Sequence, residues 1–238
     1  MRCFLSLAML VGCAGAEAEP QRPAGPEGPL VIELFTSQGC SSCPPADALV
    51  GKIAAAGALA GRPVAPLSFH VDYWNDLGWA DPYSLPAWTQ RQRDYASALG
   101  DDRVYTPELV VAGGAGMVGS QRIAVASAIA KAPRQDVLPA TATWAAARVA
   151  VTATAPADAD VLVAIYESST TTSVTRGENS GEMLPSARVV RRLELVARAG
   201  QRGTIEVPLD AAWRGVGAIA FAQRPDRRII AAAMLPRS

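Results

Sequence analysis

The run "VIELFTSQGCSSCPPAD", residues 31–47, passes from an apolar stretch into two cysteines separated by two serines, and then into a pair of prolines and an acid. Leu30 to Thr36 is β-prone and apolar around a single charge, Glu33, as a buried strand is. Pro44 suits the first turn of a helix, where its missing N–H costs nothing. Leu49, Ile53 and Leu59 then recur close to one helical face. The order is therefore strand, cysteine loop, helix, with Cys40 and Cys43 at the helix start.

Thiol–disulfide exchange needs one thiolate that attacks and a second thiol that resolves the mixed disulfide, and C-x-x-C at a helix start supplies both. Unpaired backbone N–H groups and the positive end of the helix dipole lower the pKa of the first cysteine below its free value of ~8.5. Cys40 is then expected to be an exposed nucleophile and Cys43 a buried resolver. Ser41 and Ser42 add hydroxyl donors, and Gly39 leaves the approach open. Two other readings of the pair stand beside this one. A disulfide staple over so short a ring removes little unfolded-state entropy. Copper could be held by both sulfurs with help from His70 or a methionine. His70 is the single histidine, whereas a structural zinc takes four ligands, so no metal and no cofactor is assigned, and His70 reads as a satisfied strand residue.

Half of the 238 residues are apolar, enough for a sizeable core. Lys plus Arg and Asp plus Glu number 22 each, with no basic cluster, so the long-range attraction that nucleic acid requires is missing. Residues 1–16 open with one positive charge, an apolar run too short to span a bilayer, and Ala14-Gly15-Ala16, which together read as a secretory signal. Leu10-Val11-Gly12-Cys13 also resembles a lipobox, which makes Cys13 a lipid-anchor position. The expected location is the periplasm or the exterior, either free or as a membrane-anchored lipoprotein, with no transmembrane segment in the mature chain. Export removes Cys3 and removes or lipidates Cys13, leaving Cys40 and Cys43 of the four cysteines. In an oxidising compartment a lone C-x-x-C is more often a redox pair than a metal site.

Residues 17–29, rich in Pro, Gly and Glu, read as a linker. Val64 to Trp74 forms a second strand. Trp88, Tyr95 and Leu99 mark one side of a helix, with the loop Asn75 to Leu85 between. Leu109 to Ala112 is a strand, Gly113-Gly114 turns into Met117 to Gly119, and Ser120 is placed to cap a helix over Gln121 to Lys131. Residues 30–135 thus form an α/β unit with the cysteine loop and the Pro107 loop at one edge of a sheet. Residues 140–238 carry repeated short strands, a small and mostly antiparallel, sandwich-like β domain, interrupted by an exposed polar loop over Thr170 to Pro185.

Cys40-Ser41-Ser42-Cys43 before a helix, with Thr106-Pro107 opening a later strand, resembles the thioredoxin-like superfamily. More closely, "VIELFTSQGCSSCPPAD", "HVDYWNDLGWADPYS", "RQRDYA", "VYTPELVV" and "TRGENSGEMLP" resemble an uncharacterised family of secreted bacterial proteins with a thioredoxin-like domain, labelled a domain of unknown function. The resemblance implies a thioredoxin-like N-terminal domain, a reactive pair at Cys40 and Cys43, a cis proline at Pro107, and Thr106 offering backbone groups to an extended peptide. It also suggests Glu33 as a proton acceptor for the resolving cysteine, in the manner of the buried acid that thioredoxins carry on this strand. Gly39 stands where thioredoxins have tryptophan, and Ser-Ser where they have Gly-Pro, so no redox potential transfers. The function this implies is an exported thiol–disulfide oxidoreductase acting on protein or peptide thiols and disulfides. The alternative is a non-enzymatic binding protein on the same scaffold, carrying a metal or holding an envelope partner. Asp72, Tyr73, Trp74, Asp76, Trp79 and Asp81 either wall a substrate groove or pack the inserted loop onto the sheet.

Overall fold

The computed structural model describes residues 26–101 and 103–237. The signal segment 1–16, the lipid-anchor position Cys13 and most of the 17–29 linker lie outside the described residues. The chain forms β1 (Leu30–Thr36), α1 (Pro44–Ala56), β2 (Ala58–Leu59), β3 (Arg62–His70), α2 (Pro86–Leu99), β4 (Glu108–Val111), β5 (Ala115–Val118) and α3 (Arg122–Lys131). It continues through β6 (Asp136–Val137), β7 (Ala140–Trp144), β8 (Arg148–Thr154), β9 (Asp160–Ser173), β10 (Met183–Ala197), β11 (Arg202–Pro208), β12 (Val216–Gln223) and β13 (Ile229–Leu235).

Prolines begin α1 and α2, and left-handed glycines end them, Gly57 at φ 65° and Gly100 at φ 72°, the conformation glycine adopts without a Cβ penalty. The cap of α3 is Gln121, with no side-chain hydrogen bond, so Ser120 does not play the capping part its position suggested.

One large mixed sheet runs in the order β5-β4-β1-β3-β10-β9-β12-β13-β6, with β2 paired to β3. β11, β8 and β7 form a second, antiparallel sheet. β1 lies parallel to β3 and antiparallel to β4. β10 pairs parallel with β3 at Val189 and Ser68, where the Ser68 hydroxyl also donates to Ala187 O at 2.8 Å. The large sheet is thus continuous across the two sequence segments 30–135 and 140–238.

The two-residue period of a strand sorts β1 onto two faces. Leu30, Ile32 and Leu34 pack with Ala46, Leu49, Val50 and Ile53 of α1 and with Val125 and Ile129 of α3. Val31 and Phe35 face the opposite way, toward Phe69, Trp88 and Tyr95. Phe35 and Phe69 are fully buried and stack with ring centroids 5.6 Å apart, each contributing on the order of 2–3 kcal/mol by burial. A third apolar cluster fills the space between the two sheets, from Val149 and Val151 to Val161, Val163 and Ala220.

The polar stretch Thr170 to Pro185 is not one exposed loop. β9 and β10 stay paired as far as Met183 and Ser173, which leaves Val174 to Glu182 as the tip of a long hairpin. Val174 and Asn179 are buried. Segment polarity suggested solvent, but Asn179 donates to Gln38 O and Cys40 O at the cysteine loop, and Val174 pairs within the tip with Glu182 and Gly181.

Candidate active site

Cys40 and Cys43 are joined by a disulfide, with Cα atoms 5.5 Å apart. Cys43 is the residue immediately before α1, and its carbonyl accepts from Ala46 N at 2.9 Å and Asp47 N at 3.1 Å. The loop's N–H groups are largely committed. Cys40 N donates to Ser37 O, Cys43 N donates to Cys40 O, and Ser41 N donates to a carboxylate oxygen of Glu178 at 3.0 Å. The expectation that free N–H groups of this loop stabilise a Cys40 thiolate is corrected to that extent.

The Thr106–Pro107 peptide is cis. Thr106 O lies 3.9 Å from Cys40 Sγ and accepts from Ser42 Oγ at 3.4 Å, while Ser42 Oγ is 3.3 Å from Cys40 Sγ. Trp74 Nε1 donates to Thr106 Oγ1 at 2.8 Å, so the segment after β3 is tied to the Pro107 loop. A Cβ on Gly39 would lie 3.2 Å from Trp74 Cβ, tight enough that only glycine fits without a shift. Trp79 Nε1 donates to Gln38 Oε1. The aromatic loop therefore both packs on the sheet and walls the disulfide.

Cys40 and Cys43 are each 0% exposed, so the expectation of an exposed Cys40 does not hold. The Pro107 loop lies against the sulfur, and the β9–β10 hairpin closes over the backbone of the cysteine loop. Asn179 Nδ2 donates to Gln38 O at 2.9 Å and to Cys40 O at 3.1 Å, and Gln38 Nε2 donates to Thr172 Oγ1 at 2.9 Å. Gly177 rests on the aromatic loop, where a Cβ would lie 3.1 Å from Trp79 Cβ.

Glu33 does not reach the cysteines. It shares the face of Val31 and Phe35, away from α1, and there accepts from Arg91 Nε at 2.7 Å and from the Tyr95 hydroxyl. The assignment of Glu33 as proton acceptor is therefore corrected, and the acid that follows the pair on α1 is Asp47, half-buried with its Oδ1 enclosed. It follows Cys43 by one turn of α1, and helical side chains lean toward the N-terminus over the preceding turn. Asp47 Oδ2 accepts from Thr36 Oγ1 at 3.1 Å, and Oδ1 is buried with no partner.

Burial pushes the Asp47 carboxyl up to about 7, with His70 and the Thr36 hydroxyl pulling the other way. His70 Nδ1 sits 2.7 Å from Asp81 Oδ2, and His70 Nε2 is buried without a partner. Burial lowers the His70 pKa, but the Asp81 carboxylate outweighs it and the net direction is upward. Burial likewise raises Asp81, and His70 reverses this to a net lowering. Asp81 also accepts from Gln38 N at 2.8 Å. His70 is thus committed to Asp81, and among the described residues no group of three or more His, Cys, Asp or Glu could hold a metal ion. Sequence reasoning passed over Asp47 although its spacing from Cys43 was a visible signal. Asn179 carried no such signal.

A pH dependence follows. Asp47 is ionised above about pH 4 when unfolded but keeps its proton to about 7 when folded, so unfolding releases a proton between those values and stability falls as pH rises through that window. Asp47→Asn is expected to flatten the fall. The change in unfolding free energy between pH 4 and pH 8 should differ from the parent's by on the order of 2–4 kcal/mol, read by urea unfolding across the range.

These features define a mixed α/β protein with a disulfide-closed C-x-x-C at a helix start, walled by an aromatic loop and capped by a hairpin. The chain belongs to the family described as "Protein of unknown function (DUF1223)", whose model matches residues 31–223. It is similar to the crystal structure of protein AGR_C_4864 from Agrobacterium tumefaciens at 29% identity and a TM-score of 0.69, over 89% of this chain and 96% of that one. HBP35 of Porphyromonas gingivalis shares the fold at 17% identity and a TM-score of 0.58, over 87% of this chain and 74% of that one. No curated protein matches. Among the described residues no helix is long and apolar enough to cross a membrane.

Proposed function

We propose that the protein is an exported thiol–disulfide oxidoreductase for protein or peptide thiols, built on a thioredoxin-like arrangement. The arrangement is supported by the order strand-helix-strand-helix-hairpin-helix from β1 to α3 and the strand order β5-β4-β1-β3. The observation that carries the chemistry is the Cys40–Cys43 bond at the start of α1, with Cys40 Sγ 3.9 Å from the carbonyl of the residue before Pro107. A retained disulfide calls for an oxidising compartment, and residues 1–16 supply a matching signal, with Cys13 as the lipid-anchor position.

In the oxidising direction a client thiolate attacks Cys40 Sγ. The Cys40–Cys43 bond breaks, and Cys43 leaves as a thiolate that takes up a proton. A second client thiolate attacks the client sulfur of the mixed disulfide, and Cys40 leaves and is protonated in turn. Two electrons and two protons pass from client to cysteine pair, and the reverse sequence reduces a client disulfide. Asp47, one turn after Cys43 on α1 and with its carboxyl pushed up to about 7 by burial, is the candidate to supply or take the Cys43 proton. Thr106 presents its carbonyl beside the reacting sulfur.

One observation favours a second reading. Both cysteines are 0% exposed beneath a hydrogen-bonded cover, as an idle disulfide in a non-enzymatic binding protein would be. Incubation of the native protein with glutathione buffers and a reduced model protein separates the two. The enzymatic reading expects the pair to equilibrate without denaturant and to accelerate oxidation or reduction of the model protein at least about tenfold. A pair that stays oxidised until the protein is unfolded sinks it, and stoichiometric retention of Cu(I) or Zn(II) by the reduced protein favours metal carriage.

A further inference from the structure

The stretch Thr175 to Glu182 has no part in the exchange chemistry described so far, yet it makes three hydrogen bonds to the cysteine loop. We propose that Glu178 is a positioning residue that holds down the acidity of Cys40, with Asn179 as the latch that keeps it there. This rests on the oxidoreductase reading and deepens it.

Glu178 is fully exposed apart from its contact with Ser41, and it accepts from Ser41 N at 3.0 Å. The Ser41 hydroxyl and N–H together hold its carboxyl below the usual range, so it is anionic wherever exchange would run. Ser41 N belongs to the turn between the cysteines, where a Cys40 thiolate would draw on backbone donors and on the start of α1. A carboxylate already seated there takes the donor and adds a like charge, and both raise the thiol's pKa. The other ionisable groups near the loop are Asp81, paired with His70 and bound to Gln38 N, and Asp47 on α1. They lie on β3, α1 and the aromatic loop, while the hairpin tip itself also carries Arg176 and Glu182, both exposed.

Asn179 couples this effect to access. Its amide is buried and bridges Gln38 O and Cys40 O, while the tip closes on itself through Val174 N to Glu182 O and Gly181 N to Val174 O. A client that displaces Asn179 carries Glu178 away with it. The sulfur becomes reachable and a better leaving group in the same movement.

The test uses the reduced full-length protein. Alkylation of Cys40 by iodoacetamide is followed against pH by peptide mass spectrometry, and reduction of the disulfide by dithiothreitol is timed in parallel. Glu178→Gln keeps an acceptor for Ser41 N and removes only the charge. It is expected to shift Cys40 titration to lower pH and to speed alkylation at pH 6 threefold or more. Asn179→Ala is expected to accelerate reduction of the disulfide by dithiothreitol threefold or more. Glu182→Gln, an exposed acid at the same tip, should match the parent. If Glu178→Gln titrates as the parent does, or Glu182→Gln moves Cys40 equally, the assignment is overturned, whatever Asn179→Ala does to folding. If the Glu178→Gln shift appears but the parent exchanges with no client dithiol, the oxidoreductase reading falls and the assignment stands.

Discussion

Cys40→Ser is expected to bring exchange with a model dithiol down to the uncatalysed background, whereas Cys43→Ser is expected to leave a covalent adduct between Cys40 and the client. The asymmetry comes from the geometry. Cys40 Sγ lies beside Thr106 O and Ser42 Oγ, where a client strand would arrive, and Cys43 sits at the helix cap behind it. Without the nucleophile no mixed disulfide forms, and without the resolver the mixed disulfide has no internal partner to release it. Loss of the ring itself costs about 2 kcal/mol or less, because so short a loop constrains the unfolded chain little, so both variants should fold. Recovery of the Cys43→Ser adduct by non-reducing electrophoresis would also identify the client. If both variants exchange as the parent does, the chemistry proposed for the pair is lost.

Glu33→Leu should destabilise the protein by about 3–5 kcal/mol. Arg91 is 6% exposed and lies over the rings of Phe69, Tyr95 and Phe221. Its remaining partners are Gln223 Oε1 at 3.2 Å and the Tyr95 hydroxyl at 3.1 Å, neither of which carries a compensating charge. Removing the carboxylate strands a buried cation. The double variant Glu33→Leu with Arg91→Met should recover most of the loss, since apolar replacement of a buried pair is often neutral. Urea unfolding measures the stabilities. The Cys40 titration of the folded single variant should match the parent's, because Glu33 lies on the far face of β1. A shifted titration would return Glu33 to the cysteine site.

The strand-loop-helix unit was legible because its signals are local. The apolar run of β1, the prolines of α1 and the cysteine spacing all fall within residues 30–56. Glu33 was misassigned although the alternation that separates Val31, Glu33 and Phe35 from Ile32 and Leu34 was present in the same residues. Its partner Arg91 stands in "RQRDYA", far along the chain and without a local mark. Asp47 was overlooked because an acid in a first helical turn usually serves the helix dipole at the surface, and only tertiary packing encloses part of this carboxyl. The cap was illegible for a different reason. Asn179 and Gln38 are 141 residues apart in sequence, and a polar segment rich in Gly and Thr has the composition of a solvated loop whether or not it lands on a partner.

The pairing of β10 with β3 limits how the disulfide can be uncovered. Hinged swinging of the two halves would tear Val189 from Ser68 and part the Ser68–Ala187 bond in the middle of the sheet. On the proposed chemistry the unit that must move is small: the chain between Ser173 and Met183, beyond the end of the β9–β10 ladder. For a client of the proposed oxidoreductase, an extended strand slipping under so short a flap is a better fit than a folded surface pressed against it.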